Sequence, residues 1–90
     1  MNGSPGEIKI YTTPWCPFCH RAKHLLNNKD ATFEEIDVSG KHEVRAELLS
    51  LTGQHTVPQI FIHGESIGGC DELYALERDG ELDSKLATVS

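Results

Sequence analysis

Cys16-Pro17-Phe18-Cys19 is the part of this sequence best equipped for chemistry: two thiols two residues apart, with a third cysteine at Cys70. The C-x-x-C spacing serves zinc sites, iron-sulfur centres and redox pairs alike, so the surroundings must choose between them. A closed zinc site needs four ligands, usually including a second C-x-x-C or a histidine pair, and only Cys70 and scattered histidines remain. His20 and His24 do stand at i and i+4, but in a basic stretch with Arg21 and Lys23, where solvated histidines are the ordinary reading; no metal is expected. The redox reading has a positional argument. With Pro17 opening a helix, Cys16 becomes its N-cap, where unpaired backbone N–H groups and the positive end of the dipole favour a thiolate. Cys19, one turn further in, has no helix end to face and should stay a thiol. A stabilised thiolate gains little in attack, because nucleophilicity falls with basicity, but it departs faster when an incoming thiol expels it from a mixed disulfide.

The chain that must position these thiols is short. Its 90 residues, 38% hydrophobic and 24% charged, suffice for one core and not for two. One globular domain over residues 7–90 is expected, behind a flexible lead at residues 1–6. Eight basic against fourteen acidic side chains give a net charge of -6 with no basic run, which argues against nucleic acid. No apolar run approaches the roughly 18 to 20 residues of a membrane span. Residues 1–7 are too polar for a secretory signal, so no membrane association and a cytoplasmic location are expected. A small, odd number of cysteines suits a reducing compartment better than a disulfide scaffold.

Ile8, Ile10, Tyr11 and Thr12 read as a strand that Thr13-Pro14 stops just ahead of the cysteines. A helix follows from Pro17 to about Asn28, with Phe18, Ala22, Leu25 and Leu26 on one stripe. Residues 32–38 suggest a second strand, in which Phe33 is out of phase with Ile36 and Val38. Val44, Leu48 and Leu51 mark a second helix that Thr52-Gly53 ends. Residues 59–62 and Ser66-Ile67-Gly68 read as an antiparallel hairpin turned by His63-Gly64-Glu65. Asp71 suits the N-cap of a helix carrying Leu73, Tyr74 and Leu76, which Gly80 ends, and Leu82 and Leu86 suggest a last short helix. The order β-α-β-α-β-β-α implies an α/β domain: a central sheet flanked by helices on both faces, its first two strands parallel and Cys16 at the carboxyl end of the first.

Three separated stretches carry a likeness. Cys16-Pro17-Phe18-Cys19 with His20-Arg21-Ala22-Lys23, then Thr56-Val57-Pro58-Gln59-Ile60-Phe61-Ile62, then Gly68-Gly69-Cys70-Asp71-Glu72-Leu73 resemble the dithiol, Cys-Pro-aromatic-Cys class of the glutaredoxin family, in its short bacterial-type form. The resemblance covers residues 7–86. It implies a thioredoxin-like fold with a mixed four-stranded sheet. It also implies a monomer that reduces protein-glutathione mixed disulfides and protein disulfides, with glutathione as co-substrate and no tightly bound cofactor. Cys16 would be the nucleophile and Cys19 the resolving thiol. Pro58 would be a cis proline facing them, freeing the Val57 backbone for β-like hydrogen bonds to an extended peptide. Glutathione would contact Cys16, Phe18, Thr56, Val57, Pro58, Gly69, Cys70 and Asp71, its γ-glutamyl end lying at the Cys70 backbone and Asp71.

The residues by themselves leave room for plainer roles: Pro58 opening an edge strand, Gly68-Gly69 an ordinary turn, Cys70 a half-buried thiol without a redox step. The sequence also departs from the family pattern. Thr13 stands where many relatives have lysine or arginine, and His55 where arginine is common, so fixed positive charge near Cys16 is reduced. Phe18 replaces the usual tyrosine, and Trp15 is similar to thioredoxins, whose Cys-Gly-Pro-Cys centre otherwise matches less well. Two further functions stay open at this point. One is a carrier holding a [2Fe-2S] centre between two chains and two glutathiones, which Pro17 disfavours. The other is a thioredoxin-type enzyme reduced by a flavoprotein.

Overall fold

β-Branched residues and an early proline set the first βα unit. Strand β1 (Ile8–Thr12) buries alternate residues Ile8, Ile10 and Thr12 on one face, and four residues, 13–16, separate it from α1 (Pro17–Asn28). The computed structural model describes residues 8–54 and 56–86; the expected lead at residues 1–6 and His55 lie outside them. The elements that follow are β2 (Glu34–Asp37), α2 (His42–Thr52), β3 (Gln59–Ile62), β4 (Glu65–Gly68), α3 (Cys70–Arg78) and α4 (Leu82–Leu86). The sheet order is β2-β1-β3-β4, with β1 parallel to β2 and antiparallel to β3, and β3 antiparallel to β4. This is the mixed four-stranded α/β sheet that the element order implies.

The principal core lies on the face of the sheet that carries α1 and α3. Ile8, Ile10, Ile60 and Ile62 from the strands meet Ala22, Leu25 and Leu26 of α1, Leu73 of α3 and Leu82 of α4. Tyr11 and Phe61 occupy the other face in an edge-to-face contact with centroids 5.7 Å apart. Pairing also settles the doubtful phase of the second strand. Glu35 stands opposite Ile10 and Ile36 opposite Tyr11, so Phe33, two residues before Glu35, belongs to the face of the principal core and packs against it. The strand is shorter than residues 32–38, because regular pairing begins at Lys9 with Glu34; beyond Asp37 only the Val38 N–H still bonds to the Thr12 carbonyl.

Three local expectations are corrected. Phe18 leaves the buried stripe of α1 and is 52% exposed, while Cys19 takes its place beside Ala22, Leu25 and Leu26. The stripe of α2 reduces to Leu48, the one buried residue of that helix, with Val44 half-buried and Leu51 64% exposed. The hairpin turn is His63-Gly64 alone, both at positive φ (55° and 82°), the backbone of a two-residue turn that leaves Glu65 to begin β4. No described helix is long and apolar enough to cross a membrane.

Candidate functional site

Cys16 caps α1 with sulfur where most helices use oxygen. Its backbone is extended (φ -103°, ψ 107°), Pro17 occupies the first helical position, and the Cys16 Sγ accepts the Cys19 backbone N–H at 3.1 Å. On its other side the thiol lies 3.6 Å from the Val57 carbonyl, to which it donates. All three cysteines are free thiols. Cys16 keeps 8% exposure, whereas Cys19 is closed off completely. Burial, reinforced by the hydrogen bond with Cys16, pushes the Cys19 thiol up to about 12, against a smaller opposing pull from the Thr13 backbone. Burial likewise raises Cys70. The pair is therefore asymmetric: one sulfur at the rim with a helix end behind it, the other held as a thiol beneath.

The second and third sequence stretches meet the first at a groove of about 530 Å³. Phe18, Thr56, Val57, Pro58, Gly69, Cys70 and Asp71 all line it, and Cys16 borders it at Val57. The Val57–Pro58 peptide is cis. Gly53, Gln54 and Glu72 share the wall, and sequence reasoning passed over them. Gly69 is glycine for a visible reason: a Cβ there would come within 3.2 Å of the Pro58 carbonyl, so the close approach joins two walls of the groove.

Asp71 is not the helix cap that its type suggests. The N-cap is Gly69, and Asp71 sits in the first turn, exposed, beside Glu72, whose Oε1 accepts the Gly69 N–H at 2.7 Å. The reciprocal half of a capping box is thus made by the third helical residue, and a glycine-to-glutamate spacing of three was the available signal. Gly68 fixes the geometry from below, with φ +111° and a missing Cβ that would strike the Glu72 side chain at 2.9 Å.

Beneath the thiols an ion pair ties α1 to the sheet. Lys23 Nζ and Thr12 Oγ1 both donate to Glu35 Oε2 at 2.8 Å, and the Lys23 bond above all holds the Glu35 carboxyl below its ordinary value of 4.5. A carboxyl depressed in the folded state stabilises the fold above its unfolded value and loses that contribution as pH falls through the folded one. Glu35→Gln should therefore cost at most about 1 kcal/mol near neutrality, because the pair is partly exposed, and the difference from wild type in urea titrations should shrink as pH falls below 4.5. Among the described residues no group of three or more His, Cys, Asp or Glu could hold a metal ion, and the His20 ring donates to, or lies against, the Pro14 carbonyl at 3.3 Å.

The glutaredoxin family model matches residues 8–67, which include the cysteine pair, the cis proline and most of the sheet. The chain belongs to the glutaredoxin family. Glutaredoxins are glutathione-dependent thiol-disulfide oxidoreductases of thioredoxin-like fold, and this is one of them. It is 55% identical to a glutaredoxin of Pseudomonas aeruginosa over 89% of this chain and 95% of that one. Among solved structures, the glutaredoxin of Brucella melitensis superposes with a TM-score of 0.85 at 55% identity, covering 96% of this chain and 94% of its own. A buckwheat glutaredoxin-glutathione complex gives a TM-score of 0.85 at 35% identity over 88% and 74% of the two chains.

Proposed function

We propose that this glutaredoxin reduces protein-glutathione mixed disulfides through Cys16 and protein disulfides through Cys16 and Cys19 together. The observation that carries the reading is the helix-cap thiol, whose Sγ accepts the Cys19 N–H at 3.1 Å while bordering the groove at Val57. In the first route the Cys16 thiolate attacks the glutathione sulfur of the mixed disulfide. A Cys16-glutathione disulfide forms and the protein leaves as a thiolate that takes a proton. A second glutathione thiolate then attacks the bound glutathione sulfur, forming oxidised glutathione and releasing Cys16 with its sulfur facing the Cys19 N–H.

For an intramolecular disulfide, Cys16 opens the bond and Cys19 then attacks the Cys16 sulfur. The second substrate thiol departs, the proton lost from Cys19 ends on it, and two glutathiones later reduce the Cys16–Cys19 bond. Glutathione occupies the groove against Phe18, Thr56, Val57, Pro58, Gly69, Cys70 and Asp71, a role supported by their shared wall and by the glutathione complex of the buckwheat relative. The Val57 backbone pairs with the tripeptide as an added strand would, and the start of α3 receives its γ-glutamyl end. The enzyme works as a monomer of one domain, residues 7–90, in a reducing cytoplasm, and its partners are glutathionylated or disulfide-bonded proteins. A coupled assay with a glutathionylated peptide, glutathione and glutathione reductase tests this: turnover is expected, and turnover only with a flavoprotein thioredoxin reductase would overturn it.

A further inference from the structure

The buried amide of Gln59 is bonded in a way that reaches the groove. Gln59 lies in β3 opposite Tyr11 and is 1% exposed. Its Nε2 donates to the Thr56 carbonyl at 2.9 Å and to the Gln54 Oε1 at 3.1 Å, with Thr56 Oγ1 at 3.4 Å. Its own Oε1 is buried and has no partner among the described residues. A carbonyl oxygen only accepts, so Thr56 dictates that the nitrogen end of Gln59 faces the loop. A donor at that point in turn dictates that Gln54 presents its oxygen. The Gln54 carboxamide is thereby fixed with its NH2 unspent: no described residue accepts from it, and Gln54 stands on the groove wall. The Gln54 backbone is pinned as well, its N–H donating to Thr52 Oγ1 at 3.1 Å.

We infer that Gln59 is a positioning residue of the glutathione site, acting through Gln54, whose two N–H groups it turns toward an acceptor oxygen of the bound tripeptide. The inference rests on the glutathione reading under Proposed function. Gln59 serves the site twice, since the same nitrogen holds the Thr56 carbonyl and so the peptide plane that leads into Val57. The unpaired Oε1 is a standing cost that a leucine of similar size would avoid, and the work of the donor end accounts for an amide at this depth. The two amides make no contact of their own with the reacting sulfurs and reach Cys16 only through the Thr56–Val57 segment, so their main effect belongs to binding.

The test is steady-state kinetics with a glutathionylated peptide as the varied substrate, on wild type, Gln54→Met, Gln59→Leu and the double variant. Gln54→Met should raise KM about five- to tenfold, the size of one hydrogen bond, with kcat within about twofold. Gln59→Leu should raise KM at least as much, since it also frees the Thr56 carbonyl, and the double variant should lose no more than Gln59→Leu alone, because Gln54 acts through the contact Gln59 holds. The iodoacetamide rate at Cys16 should be unchanged in all of them, a readout that general loosening of the site would move. Should Gln59→Leu fail to fold, Gln54→Met decides alone, its side chain being exposed. A Gln54→Met enzyme with wild-type KM, or losses that multiply in the double variant, overturns the inference while leaving the proposed function intact. A wild type that does not turn over glutathionylated peptide overturns both.

Discussion

Cys16→Ser should lose the reduction of both glutathionylated and disulfide substrates by at least about three orders of magnitude, whereas Cys19→Ser should keep deglutathionylation within about threefold and lose only the two-thiol route. The contrast follows from the asymmetry of the pair. Of the two, it is Cys16 whose sulfur borders the groove at Val57, accepts a backbone N–H at 3.1 Å and keeps some exposure to an incoming disulfide. Cys19 is wholly enclosed and can meet only a disulfide already formed on Cys16. Its N–H, the part of it that caps Cys16, belongs to the backbone and survives replacement of the side chain. Assaying both variants on a glutathionylated peptide and on a peptide with an internal disulfide separates the outcomes. Equal loss in the two variants on the glutathionylated peptide would sink the division of labour.

Iodoacetamide at about pH 7.5 should modify Cys16 first in the folded chain, with Cys19 slower by about fiftyfold or more and Cys70, raised by burial, slower as well. For Cys19 the figure can be built. A thiol pushed from 9.0 to about 12 has roughly a thousandth of the thiolate. With a Brønsted coefficient of about 0.45 each thiolate is only about twentyfold more reactive, so the net loss is about fiftyfold before access is counted. Burial, the largest cause of the shift, remains once Cys16 is capped. Mass spectrometry of tryptic peptides against time reads the order directly, and rapid double labelling in the folded protein would refute it. In denaturant all three rates should converge.

What the sequence disclosed was what local chemistry decides. Pro17 and the cysteine spacing located α1 and its cap, because the proline ring and the loss of backbone donors act within a single turn. Gly53 ended α2 at φ +74° for an equally local reason. Where neighbours in space decide, pattern reading failed. Asp71 was the better cap by type, but Gly69 must pass under the Pro58 carbonyl and Glu72 was placed to reach back. Phe33 looked out of phase until pairing with β1 showed that it and not Ile36 faces the main core. Leu51 had helical spacing but stays 64% exposed. The Gln59-Gln54 contact joins side chains from β3 and the loop after α2, and no periodicity announces such a bond.

One turn of α1 supplies both the amide that bonds to the Cys16 sulfur and the thiol that, in the proposed function, attacks it. The spacing between the two sulfurs is therefore ruled off by helix geometry and needs no loop to search for it. A nucleophile tethered so closely has an effective concentration that no free thiol in solution matches. With Cys16 capped, the contribution of its own sulfur is gone and burial is what still holds Cys19 as a thiol, so on the proposed two-route scheme Cys19 would compete with free glutathione by nearness and against its burial.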